Sequence, residues 1–62
     1  MIVQFREHQT GVPLYVNPRY VVTLRPDAAE PDRVSVVKLE DGEMVQVQGE
    51  HTEVADKLSR AA

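Results

Sequence analysis

Ser35, Ser59, Thr10, Thr23, Thr52, His8 and His51 are the side chains in this sequence that could act as a nucleophile or relay a proton. Covalent or acid–base catalysis needs such a group held beside a base and an orienting partner. Nothing here has the spacing of a strained nucleophile turn, and Gly11, Gly42 and Gly49 are too scattered to form a phosphate loop. An isolated histidine in a turn is ordinarily a solvated one. The expectation is a chain that is not an enzyme, carries no cofactor and has no small-molecule substrate.

Metal chemistry is equally thin. There is no cysteine, which excludes disulfides and thiolate zinc sites, and His8 and His51 lack ligand spacing. Asp27, Glu30 and Asp32 share one stretch and could meet a hard cation, but the alternate-position pattern and glycine of a calcium loop are missing. A solvated acidic loop is the plainer reading, and Glu40, Asp41 and Glu43 read the same way. One further set has a chemical use. Arg6, Arg19, Arg25 and Arg33, with Tyr15 and Tyr20, could neutralise phosphates and stack bases on a sheet surface. The ten acids interleaved with these arginines, and a net charge of -3, weigh against nucleic acid as the main partner.

A chain of 62 residues is read as one domain, residues 1–62. A core this small leaves little net stability, so such chains commonly need a metal, disulfides or a partner subunit. With the first two unsupported by the residues, association with a second copy of the chain or another protein is the expected staple. No apolar stretch is long enough to insert in a bilayer. The opening MIVQFRE has no basic leader followed by an apolar run, so the cytoplasm is the expected compartment.

The elements follow from periodicity. Residues 1–7 alternate, with Met1, Val3 and Phe5 opposed to Ile2, Gln4 and Arg6, and read as a strand. His8-Gln9-Thr10-Gly11 reads as a turn. Residues 12–16 form a second strand, with Val12, Leu14 and Val16 on one face and Tyr15 on the other; Pro13 means that the strand lies at an edge or that Pro13 points its missing N–H outward. Asn17-Pro18 marks a bend. Residues 19–25 form a third strand, with Tyr20, Val22 and Leu24 on the core side, so Tyr20 is expected to be buried. A proline-bounded loop covers residues 26–32. Neighbouring strands are expected to pair as an antiparallel meander. The tail, Glu50 to Arg60, reads as a helix capped by Thr52, with Val54, Ala55, Leu58, Ala61 and Ala62 on one stripe.

Residues 33–49, RVSVVKLEDGEMVQVQG, read as a hairpin that can close in two ways. A two-residue turn at Asp41-Gly42 places Glu40 opposite Glu43 and groups Val34, Val36, Val45 and Val47. A type I turn at Glu40-Asp41 with Gly42 in the left-handed bulge position removes that repulsive pair and groups Val37, Leu39, Val45 and Val47. The second closure is preferred. It leaves Val34, Val36 and Met44 on the second face, as candidate protein-interaction residues, with the side that the helix covers left open.

Met1-Ile2, Gly11, Asn17-Pro18, Pro31-Asp32 with Val34, Gly42, Val47, Glu50 and Glu53-Val54 together give the chain a family likeness. It resembles the FlbD-type proteins, very small proteins found with bacterial flagellar genes. The resemblance implies a flagellar accessory role. The residues themselves imply an α+β fold: a small antiparallel β-meander of four to five strands with one C-terminal α-helix. The expected function is a non-catalytic protein-interaction or assembly module. The alternative is a small nucleic-acid-binding protein using Arg6, Arg19, Arg25, Arg33 and Tyr15.

Overall fold

A computed structural model describes residues 1–61 of the chain; Ala62, assigned to the helical stripe, lies outside the described residues. The architecture is α+β, with two antiparallel sheets, five strands in all, and one C-terminal helix. Strands β1 (Val3–Arg6) and β2 (Pro13–Val16) make a ribbon in the register Val3↔Val16 to Arg6↔Pro13. Its turn closes where the Gly11 amide donates to the Glu7 carbonyl at 2.8 Å, with Gly11 at φ +74°. β2 pairs only with β1, so Pro13 does sit in an edge strand, where its missing N–H costs no ladder bond.

The expected bend at Asn17-Pro18 is a 3₁₀ turn, Pro18–Tyr20. Asn17 Oδ1 accepts from the Arg19 amide at 3.0 Å, and the Asn17 carbonyl accepts from the Tyr20 amide at 3.0 Å. An Asn cap followed by proline, whose φ already suits a helical turn, starts such a turn. It takes Arg19 and Tyr20 out of the third strand and separates β2 from the next strand. The meander is therefore confined to β3 (Val21–Pro26), β4 (Val34–Leu39) and β5 (Met44–Gln48).

The expected alternation in β3 fails at one residue. Val21 pairs with Leu39 and Thr23 with Lys38, so the register shifts between them and Val22 is the extra residue of a bulge. Val21 and Leu24 consequently pack on the core, while Val22 is exposed. Tyr20, expected in the core, is 55% exposed for the same reason: it precedes the bulge and lies in the 3₁₀ turn.

The hairpin takes the bulged closure. Leu39 and Glu43 bond across the turn, the Gly42 amide donates to the Leu39 carbonyl at 2.9 Å, and Gly42 has φ +91°. Val37 faces Val45 and Ser35 faces Val47. One bridge, Glu7↔Val47, with the His8 amide on the Gln46 carbonyl at 2.8 Å, links the ribbon to β5.

The helix α1 (His51–Ala61) begins two residues earlier than a Thr52 cap requires. Glu50 is the residue that caps it: its Oε1 accepts from the Thr52 amide at 2.7 Å, while the Thr52 hydroxyl bonds the other carboxylate oxygen. Gly49, at φ +129°, turns the chain between β5 and α1, and a Cβ there would lie 3.2 Å from Val54 Cγ2. Val54 and Leu58 then enter the core with Val3, Phe5, Val16, Val37 and Val47. Full burial of such a side chain contributes about 1.5–3 kcal/mol, which is what holds an 11-residue helix in place. Ser35, wholly buried on the core face, is satisfied by donating to the Gly49 carbonyl at 2.8 Å.

Candidate interaction surfaces

The face of the β3–β4–β5 sheet away from the helix is not the open apolar surface expected of it. Cross-strand rows place Arg25, Val36 and Gln46 together, and Thr23, Lys38 and Met44 together. Val34 is 2% exposed and so is withdrawn from that surface. The loop between β3 and β4 folds back over it: the Asp27 amide donates to the Val34 carbonyl, and the Val34 amide to the Glu30 carbonyl, both at 2.9 Å. Val36 is half-buried, and Met44 alone of the three is largely exposed.

Asp27 holds the loop down. Its Oδ1 accepts from the Gln46 side chain at 2.8 Å, and its Oδ2 from the Ala29 and Glu30 amides at 3.0 and 3.1 Å. The Gln46 bond, and then the Glu30 amide, hold its carboxyl below the ordinary carboxylate value. Asp27 is thus a buried structural acid, not part of a solvated acidic loop. The same loop meets the first turn: Glu30 lies 3.3 Å from His8 and 3.8 Å from Arg33, at the mouth of a cleft of about 380 Å³ that Val34 and Gln48 also line. Among the described residues no three acids or histidines are grouped to hold a metal ion.

Two of the exposed large apolar side chains lie on the outer face of the ribbon, while Met1, Val12, Tyr20, Val22 and Met44 are exposed elsewhere. Tyr15 is 60% exposed and lies opposite Gln4. Ile2, which continues the alternation of β1, is 61% exposed, and Pro13 is exposed opposite Arg6. Side chains two apart on one strand and diagonal across a pair share a face. The ribbon face is therefore Ile2, Gln4, Arg6, Pro13 and Tyr15. The alternation of Ile2 against Val3 and Phe5 was visible in the sequence; that Ile2 and Tyr15 share one uncovered face needed the register.

The candidate nucleic-acid set is only partly brought together. Arg6 and Tyr15 share the ribbon face. Arg25 lies on the far face of the three-stranded sheet opposite Val36, Arg33 lies beside Glu30, and Arg19 sits in the 3₁₀ turn. At the start of the helix, Glu50 is held below its ordinary value by the bonds from Thr52. Among the described residues no helix is long and apolar enough to cross a membrane.

Neither a family model, nor a curated protein, nor a solved structure matches this chain.

Proposed function

We propose that this protein is a non-catalytic interaction or assembly module, cytoplasmic and of flagellar-accessory type, whose contact surface is the outer face of the β1–β2 ribbon. A second copy of the chain is its first partner. The observation that carries this reading is the exposure of Ile2 and Tyr15, at 61% and 60%, on one face of a two-stranded ribbon whose outer strand β2 has a free edge. Contiguous apolar surface of this kind marks protein contacts. Edge-strand pairing through β2 can add main-chain bonds to it. The likeness to small flagellar proteins supports an assembly role over a metabolic one. Light scattering across a dilution series tests it. The expected result is a species heavier than the 7.0 kDa chain that reverts to monomer in Ile2→Glu/Tyr15→Glu. A monomer at every concentration would remove self-association from the proposal.

One observation favours a second reading. Arg6 lies diagonal to Tyr15 on the same exposed face, an arrangement in which a base stacks on the ring and its phosphate meets the guanidinium. That reading requires binding of single-stranded nucleic acid that falls steeply with added salt.

A further inference from the structure

The ribbon and β5 touch at one bridge and diverge beyond it, which opens a gap beside α1. The Glu7 amide bonds the Val12 carbonyl, so odd residues of β1 direct their backbone to β2 and even ones direct theirs away from it. The Gln4 carbonyl is thus left facing the gap, and Lys57 fills the place of the absent strand: its Nζ donates to that carbonyl at 2.5 Å. The same ammonium lies 4.9 Å from the centre of the Phe5 ring. A neutral carbonyl and a ring face hold Lys57 in position without cancelling its charge. No carboxylate comes within 4.0 Å of it among the described residues, although the chain carries ten acids.

Beside this ammonium lies a cavity of about 300 Å³ lined by Gln4, Phe5, Arg6, Gln48 and Lys57. Two of those residues are cationic, two are carboxamides, and none is acidic. The Arg6 guanidinium is turned towards the β1–β2 turn by its bond to the Gly11 carbonyl at 2.9 Å, and it too has no carboxylate partner among the described residues. Phe5, Gln48 and Lys57 also line an adjoining hollow of about 180 Å³ with Gly49, Glu53 and Val54. That second hollow offers the Phe5 ring and the Val54 methyls, with Glu53 at its side excluding a second negative group.

We infer that this cavity is a binding site for a small organic oxyanion, a carboxylate or phosphate monoester, whose charged group meets Lys57 and whose apolar part lies against Phe5 and Val54. Lys57 supplies a charge-assisted donor that is already in place, so little side-chain freedom is lost on binding. The site borders the ribbon face proposed for assembly, since Gln4 and Arg6 belong to both, but its charge comes from Lys57 on the helix and its apolar wall from the core, so Lys57→Gln tests it without touching Ile2 or Tyr15.

The chain has two lysines, Lys57 and Lys38, which makes a control of equal charge available. Amide chemical shifts of the intact protein are followed while acetate, benzoate, inorganic phosphate and phenyl phosphate are added in turn. The expected result is saturable shifts at Gln4, Phe5, Gln48 and Lys57, with the ring-bearing anions tighter than the bare ones. Benzoate against phenyl phosphate distinguishes the carboxylate from the phosphate source. Lys57→Gln weakens binding about tenfold, Lys57→Arg retains it, and Lys38→Gln leaves it unchanged. Amide shifts of ligand-free Lys57→Gln that change only around residues 4, 5 and 57 verify the fold. Absence of saturable shifts, or equal loss in Lys57→Gln and Lys38→Gln, would overturn the inference.

Discussion

The Asp27 carboxylate accepts a 2.8 Å hydrogen bond from the Gln46 side chain, and through it the loop between β3 and β4 is tied to β5. Asp27 also caps its own loop through the Ala29 and Glu30 amides. One acid therefore closes the cover over Val34.

Acid should loosen this protein from two ends. Asp27 and Glu50 both have carboxyls held below their ordinary values of 3.8 and 4.5. A depressed carboxylate contributes stability that is fully present above its unfolded value and is lost as pH falls through its folded value. The urea midpoint should hold steady down to the region of 4.5 and then fall as the solution is made more acid. Asp27→Asn should lower stability at neutral pH and flatten that acid limb.

Phe5→Ala should remove most of the stability. Phe5 is 5% exposed in the core and carries the Lys57 ammonium over its ring. Truncating a buried phenylalanine costs about 3–5 kcal/mol, against a total of roughly 3–9 kcal/mol for a chain of this size. A cooperative transition with an unshifted urea midpoint would show that the ring is not packed as described.

Gly49→Ala should cost more than Gly42→Ala. Both glycines have positive φ, where a non-glycine residue costs about 1–3 kcal/mol. An added Cβ at Gly42 meets nothing within 4 Å, whereas at Gly49 it meets Val54 Cγ2 at 3.2 Å, and Val54 is itself buried. Thermal unfolding of the two variants side by side ranks them; equal losses would mean that Val54 gives way freely.

Association should respond to the ribbon face and not to the hairpin. Tyr15→Glu is expected to shift the species in light scattering towards monomer with circular dichroism unchanged. Val36→Glu, on the far face of the three-stranded sheet, should leave the mass as it is. The opposite pattern would return the contact to Val36 and Met44.

The hairpin register was legible because like charges decide it: one closure opposes Glu40 to Glu43 and the other does not. The helix was legible from Val54 and Leu58, four apart on one stripe. Three features were hidden by non-local causes. The bulge at Val22 takes Tyr20 and Val22 off the core face while leaving Leu24 on it, and its position is set by pairing with Leu39 and Lys38 rather than by any residue type. The burial of Val34 depends on where Asp27 finds Gln46, nineteen residues away. Asn17-Pro18 announced a break but not that β2 and β3 would part. For the interaction surfaces, composition pointed to surplus apolar residues. Only the register assigned the surplus to Ile2 and Tyr15 and took Val34 out of it.

Proline begins β2 and ends β3, and β3 is further distorted by its bulge. Each of these sheets' terminal strands therefore offers an interrupted row of donors to any neighbour. A second chain can add along part of β2, but the pairing cannot be passed on from copy to copy. Interrupted edges of this kind are what keep a sheet from being extended copy by copy into fibres.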